Sequence, residues 1–119
     1  MGVYSGIALD NVVINSGRIN GMQRSAPVTK TAAYTVGAAD DYIIMNGSGS
    51  LALTLPSPAR NVGRSIMVKT VAAFTVTSAS SNVVPKAGGA AGTAILAGAA
   101  GNWAELVSDG TNWVVMSGT

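Results

Sequence analysis

The chain has 119 residues and contains neither cysteine nor histidine. Without these residues there can be no disulfides, no thiolate nucleophile, no catalytic triad with an imidazole base, and hardly any zinc or copper site. Together with the acidic residues considered below, this absence leads us to expect no catalytic residues, no bound metal and no cofactor. The redox compartment stays open, because a chain without cysteine gives no indication of it.

Charged residues are also scarce, at 10% of the chain against a typical value of about 25%. The hydrophobic fraction is 48%, yet there is one phenylalanine and only two tryptophans. Such a composition suits many small interlocking surfaces, and low charge promotes association. We expect that part of the surface is buried in an assembly; a mostly neutral polar surface is the alternative.

The net charge of +2 lies entirely in the first quarter of the sequence. Residues 1–30 hold Arg18, Arg24 and Lys30 against Asp10, whereas residues 31–119 hold four charges of each sign. This excess is too small for a nucleic-acid footprint, so no nucleic-acid partner is expected. No apolar run reaches the ~20 residues of a membrane span, and no signal peptide or membrane association is predicted.

Residues 1–30 differ in pattern from the rest and are predicted to form an extended N-terminal arm. Asp10 to Asn15 is a short strand candidate, followed by turn signals at Ser16-Gly17 and Asn20-Gly21. This stretch has too few apolar residues to form a core of its own. We therefore expect it to become ordered only by contact with a neighbouring molecule. Its excess charge fits either a solvated arm or one that docks on a mildly acidic protein surface. Pro27 marks the boundary to the main domain.

Residues 31–119 are predicted to form one all-β domain. Leu51, Leu53 and Leu55 alternate with small residues and give the purest strand signal, which Pro56 ends because proline cannot donate to a strand ladder. No apolar residues recur at helical spacing. Short strands with turn signals every 8–12 residues predict a small antiparallel β-sandwich or jelly-roll-like barrel.

The stretch from Gly101 to Met116 is the clearest hairpin in the sequence. Its turn contains Asp109, which can cap a tight turn, and Gly110, which reaches positive φ without a Cβ clash. The two tryptophans of the chain both lie here and are predicted to anchor the core, since aromatic side chains bury the most area. The predicted anchors of the hairpin and core are Trp103, Leu106, Asp109, Gly110 and Trp113.

No catalytic constellation is visible. Asp40 and Asp41 are adjacent in a turn and should diverge, and Glu105 and Asp109 have no partner base. The glycine-rich run from Gly88 lacks the ending of a phosphate-binding loop. Sugar stacking is an alternative to core packing for the aromatic residues, namely Tyr34, Tyr42, Trp103 and Trp113. The sequence does not predict an enzyme.

Several sequence pieces stand in order along the domain. They are Tyr34-Thr-Val36, an acidic turn before Tyr42-Ile-Ile44, Leu53-Thr-Leu-Pro56, Asn61-Val-Gly-Arg64, Ile66-Met-Val-Lys69 and Leu106-Val-Ser-Asp-Gly-Thr-Asn-Trp113. Through these pieces residues 31–119 resemble the small β-domains of tailed-bacteriophage virion proteins, especially tail-fibre modules, head fibres and capsid decoration proteins. The resemblance implies a trimer without catalytic residues.

A short arm in place of a long fibre shaft favours a capsid decoration (cement) or head-fibre protein. The arm would attach it to the major capsid protein or another virion protein. The alternative is a tail-fibre tip that binds a receptor or a host surface glycan. The protein is expected on the capsid surface or tail of a particle made in the host cytoplasm. The predicted arm contacts are the apolar Val12, Val13, Ile14 and Ile19, with Arg18 and Arg24 at the rim.

Overall fold

The computed structural model describes residues 24–119, whose regular structure consists of ten strands and one short 3-10 turn at Pro58–Arg60. No α-helix occurs in this range. The strands are β1 (Val28–Lys30), β2 (Tyr34–Thr35), β3 (Tyr42–Met45), β4 (Leu51–Thr54), β5 (Ser65–Thr70), β6 (Val76–Ser78), β7 (Val83–Val84), β8 (Ala94–Leu96), β9 (Trp103–Ser108) and β10 (Trp113–Gly118).

The strands form two sheets, which confirms the predicted all-β sandwich class. The larger sheet has the order β1-β3-β5-β9-β10-β7, and the smaller sheet has the order β2-β4-β6-β8. From β1 to β9 successive strands alternate between the two sheets, so that two consecutive strands of one sheet are connected through a strand of the other. Within residues 24–119, β1 and β2 are edge strands, of three and two residues, each paired on one side only.

The sheets are mixed rather than purely antiparallel. Three neighbouring strands of the larger sheet, β1, β3 and β5, run parallel, as do β2, β4 and β6 of the smaller sheet. Parallel neighbours need a crossover, and here the crossover is a strand of the opposite sheet. Short turns rich in glycine and polar residues connect strands of opposite sheets here, and they resemble the turns of hairpins. The sequence pattern did not distinguish the two kinds of turn, and it therefore suggested antiparallel pairs.

The core lies between the two sheets. Inward positions alternate along each strand, as period-two geometry requires, and Ile43, Ile66 and Leu106 of the larger sheet face Leu53 and Val76 of the smaller one; each of these residues is at most 1% exposed. Burying side chains of this size stabilises a fold by about 1.5–3 kcal/mol each. Alternation therefore accounts for the inner faces of both sheets.

The closing hairpin, β9 and β10, contributes the largest buried side chain. Trp113 is fully buried, and its indole Nε1 donates a hydrogen bond to the Pro56 carbonyl oxygen at 2.9 Å. In the turn, Asp109 Oδ1 accepts the backbone N–H groups of Asn112 and Thr111, and these bonds lower the pKa of the Asp109 carboxyl. Gly110 has a φ of 96°, a conformation that glycine adopts without strain.

Trp103, which was expected in the core, lies on the outer face of the larger sheet instead. The side chains of Ala104, Leu106 and Ser108 point inward, so the odd positions of the same strand point outward. Aromatic size was the basis of the prediction, but strand parity decides the direction of a side chain. The two tryptophans therefore belong to different surfaces.

Among the described residues, the first strand begins directly after Pro27. Residues 28–30, the last three of the predicted arm, form the edge strand β1 and pair with β3 in the larger sheet. Of the predicted arm contacts, Arg24 is described and lies beside β3. The others, Val12, Val13, Ile14, Arg18 and Ile19, lie outside the described residues and stay predictions.

Candidate interaction surface

The outer faces of the two sheets differ in chemistry. On the larger sheet the outward side chains are mostly apolar, whereas on the smaller sheet Ala52, Thr54, Thr77 and Ala94 are small or polar. We call the first surface the outer face; its apolar members, all half-buried, are Tyr42, Ile44, Met67, Trp103, Val107 and Val114. Strands that are apolar on both sides are typical of sheets covered on both faces.

Strand register arranges these residues in three rows across the sheet. The rows are Tyr42, Met67 and Glu105; Ile44, Lys69 and Trp103; and Ser65, Val107 and Val114. Directly opposed residues have Cβ atoms roughly 4.5–5.5 Å apart. The apolar side chains therefore form one continuous surface over four strands, with one lysine and one glutamate among them.

An open groove of about 520 Å³ lies at one end of the outer face. Its walls are formed by Pro27 and by the outward side chains of β3, β5 and β9, namely Tyr42, Ile44, Met67, Lys69 and Trp103. Lys69 is the one charged side chain in the lining. The groove thus combines two aromatic rings, aliphatic walls and a cation at its rim.

The first described residues lie along the edge of this groove. The Arg24 guanidinium sits 5.4 Å from the centre of the Tyr42 ring, and its Nη1 lies 3.7 Å from Asp41 Oδ1. The Ser25 N–H donates to Asp41 Oδ2 at 3.0 Å. An exposed ion pair of this kind contributes about 0–1 kcal/mol. These contacts direct the chain towards the outer face rather than stabilise the fold.

Lys69 and Glu105, the two charged side chains in the middle of the outer face, bond to neutral groups. Lys69 Nζ donates to the Gly101 carbonyl oxygen at 2.9 Å. Glu105 accepts hydrogen bonds from Ser65 Oγ at 3.1 Å and from Ser117 Oγ at 3.3 Å. Within residues 24–119 neither forms an ion pair. The middle of the outer face therefore presents one cation, Lys69, and one anion, Glu105, and among the described residues neither is bonded to a group of opposite charge.

The adjacent carboxylates Asp40 and Asp41 point in different directions. Asp40 Oδ2 accepts hydrogen bonds from the Tyr34 hydroxyl and, at 2.7 Å, from the Gly37 N–H. The bond from Tyr34 is the main cause that lowers the pKa of Asp40 and raises the pKa of Tyr34. Asp41 instead faces Arg24. Both carboxylates hold the local chain, and they do not form a facing pair of the kind that glycoside hydrolysis uses.

Together with Tyr34 and Asp40, Arg64 forms a hydrogen-bonded polar connection between the two sheets. Its Nη2 donates to the Gly37 and Asp40 carbonyl oxygens at 2.8 and 2.7 Å. Tyr34 belongs to the smaller sheet, and Arg64 directly precedes β5 of the larger one. The loop after β2 is thus fastened to both sheets at one end of the sandwich.

No family model matches this chain, and the curated proteins and solved structures gave no match either. Within residues 24–119, no three or more acidic side chains come together to hold a metal ion. In the same range no helix is long and apolar enough to cross a membrane. The chemistry of the outer face is therefore the main guide to function.

Sequence reasoning missed five residues of this surface, namely Ile44, Met67, Lys69, Val107 and Val114. A signal for the first was present, because Tyr42 to Met45 is an uninterrupted apolar run rather than an alternation. Such a run is consistent with a strand covered on both faces. For Met67 and Lys69 the spacing indicated a direction opposite to Ile66, but it did not indicate which neighbours would join them.

Proposed function

We propose that the protein is a non-enzymatic structural component of a bacteriophage virion, a trimeric capsid decoration or head-fibre protein. The observation that carries this proposal is the continuous apolar outer face, which favours an assembly component. Contiguous apolar patches on a protein surface mark interaction sites. The resemblance of residues 31–119 to virion β-domains supports the choice of assembly.

Attachment to the particle is assigned to the arm, with the major capsid protein or another virion protein as the partner. Val12, Val13, Ile14 and Ile19 provide the apolar contacts in this proposal, with Arg18 at the rim. Arg24 binds Asp41 and lies over the Tyr42 ring, so the described end of the arm lies beside the outer face. An arm that starts there can reach a neighbouring subunit or the shell.

A tail-fibre tip that binds a host surface glycan is the second candidate. The groove favours it, because Tyr42 and Trp103 present ring surfaces beside Lys69. Aromatic rings with an apolar body and a polar edge suit partly wet binding sites. In this case the groove would take a sugar ring and the arm would serve only for attachment.

Labelling of purified phage particles with an antibody raised against the recombinant protein separates these two candidates. Label distributed over the shell supports a decoration or head-fibre role, and label at the tail supports the glycan-binding tip. Particles from a phage that lacks the gene are the control. Absence of the protein from purified particles, by mass spectrometry and labelling alike, overturns the virion proposal.

The arm is tested in the full-length chain by replacing Val13 and Ile14 with aspartate. We expect the folded variant to lose attachment to particles that lack their own copy, because charged side chains cannot enter an apolar contact without a large desolvation penalty. Val71→Asp is the matched control, since Val71 is 49% exposed in a turn of the domain. Normal attachment of the arm variant would exclude this role for the arm.

A further inference from the structure

The outer face is larger than the groove, and the proposed attachment assigns the arm to the particle rather than to this face. We infer that this face is the surface through which copies of the chain contact one another. The inference rests on the proposed trimer and names the residues that form it. The small or polar outward side chains of the smaller sheet serve as an internal comparison, because both sheets belong to the same chain.

Residue type is the first argument. Tyr42, Met67 and Trp103 lie together on the outer face, and tyrosine, tryptophan and methionine are enriched in the cores of protein interfaces. The corresponding outward positions of the smaller sheet include Ala52 and Thr77. One sheet thus has the composition of an interface core, and the other has the composition of a solvated surface.

Charge is the second argument, and it selects a second copy as the occupant. Lys69 is opposite Trp103 in the register, and Glu105 is two residues further along the same strand. Diagonal neighbours of this kind have Cβ atoms roughly 7–8 Å apart. A partner surface of a single sign would leave one of the two charges buried and unpaired, which is strongly unfavourable. A copy carries both signs, so that Lys69 of one subunit can pair with Glu105 of the next.

The proposed trimer assigns different roles to the two halves of the face. In a ring of three subunits each contact joins two different patches rather than the same patch twice. The groove, with Tyr42 and Met67, forms one patch, and Val107 and Val114 on β9 and β10 form the other. In the inferred trimer the groove of one subunit packs against the β9–β10 patch of its neighbour.

The test uses the full-length protein and measures its mass by light scattering on a sizing column. For the unmodified chain we expect about three times 11.8 kDa. Met67→Glu should reduce this to the mass of one chain. Thr77→Glu places the same charge on the outward side of the smaller sheet and should leave the trimer intact. Circular dichroism of both variants checks that they are folded.

A charge exchange provides a second test, which alters no apolar residue of the proposed contact. Lys69→Glu and Glu105→Lys should each weaken the trimer, because each creates like charges across the contact, and the double variant should restore it. A folded Met67→Glu variant that remains trimeric, or a double variant no better than either single one, overturns the inference.

Other occupants of the face give different results. A monomeric unmodified chain overturns the inference and the trimer of the proposed function, whereas the location of the protein on the virion is tested separately by the particle labelling. In another outcome, the variant with aspartate at Val13 and Ile14 becomes monomeric while the charge exchange has no effect on the mass. In that case the arm covers the outer face instead of the sheet of another subunit, and the inference is wrong. A glycan that binds Trp103 in an intact monomer would likewise assign the groove to a sugar.

Discussion

The outer faces of the two sheets show how one chain can satisfy two different surroundings. Both sheets bury Ile, Leu and Val on their inner sides. On the outer side the smaller sheet carries Ala52 and Thr77, as a solvated sheet does, whereas the larger sheet carries Tyr42 and Trp103. The residues of the inner faces are explained by packing in the core of the domain. The difference between the outer faces is explained by their surroundings, which are solvent for the smaller sheet and, in our proposal, a partner for the larger sheet.

The largest expected difference separates the two tryptophans. Trp113→Ala should lower the free energy of unfolding by about 3–5 kcal/mol, the usual cost of removing a fully buried aromatic side chain. Trp103→Ala should lower it much less, because this ring lies half-buried on the outer face. Urea denaturation at a protein concentration where both variants are monomeric measures the difference. Equal losses would mean that Trp103 is also a core residue.

Ile43 and Ile44 offer a matched pair within one strand. Ile43 is 1% exposed and Ile44 is half-buried on the other side of the sheet. Ile43→Ala should cost about 2–5 kcal/mol of unfolding free energy, and Ile44→Ala should cost less but weaken association. Denaturation together with light scattering tests both effects. A variant of Ile43 that loses association while retaining its stability would reverse the assignment of the two faces.

The smallest expected effect concerns the polar connection between the sheets. Since hydrogen bonding lowers the folded-state pKa of Asp40, its contribution to stability is present above its ordinary value of about 3.9 and is lost as the pH falls through the folded-state value. Asp40→Asn should therefore reduce the fall in melting temperature between about pH 5 and pH 2. Differential scanning calorimetry measures this slope.

The control for this experiment is Asp41→Asn, which removes the neighbouring carboxylate but leaves the bond between Tyr34 and Asp40 in place. It should retain the steeper dependence on acid. The same bond raises the pKa of Tyr34, so its contribution should also be lost at strongly alkaline pH, as the pH rises through that raised value. An unchanged acid slope in Asp40→Asn would show that the connection does not couple to folding.

Local patterns in the sequence were sufficient for some features and insufficient for others. Alternation around Leu53 and the Asp109-Gly110 turn predicted a strand and a hairpin, because period-two geometry and positive φ act within a few residues. The direction of Trp103 was also present in the local alternation with Ala104 and Leu106, but ring size was given more weight than this alternation. The parallel pairing of β3 with β5 depended on where distant segments meet, and local spacing does not encode this long-range relation.

The short edge strands β1 and β2 have a consequence for the size that an assembly can reach. An open sheet edge can accept a strand from another chain, and repeated addition at such an edge leads to growth without a natural end. Edges of three and two residues offer few unpaired N–H and C=O groups for such growth. Strands β7 and β8, at the other two edges, are equally short, with two and three residues. In the inferred trimer the contact therefore lies on the broad outer face and not at an edge, and such a trimer has a fixed copy number.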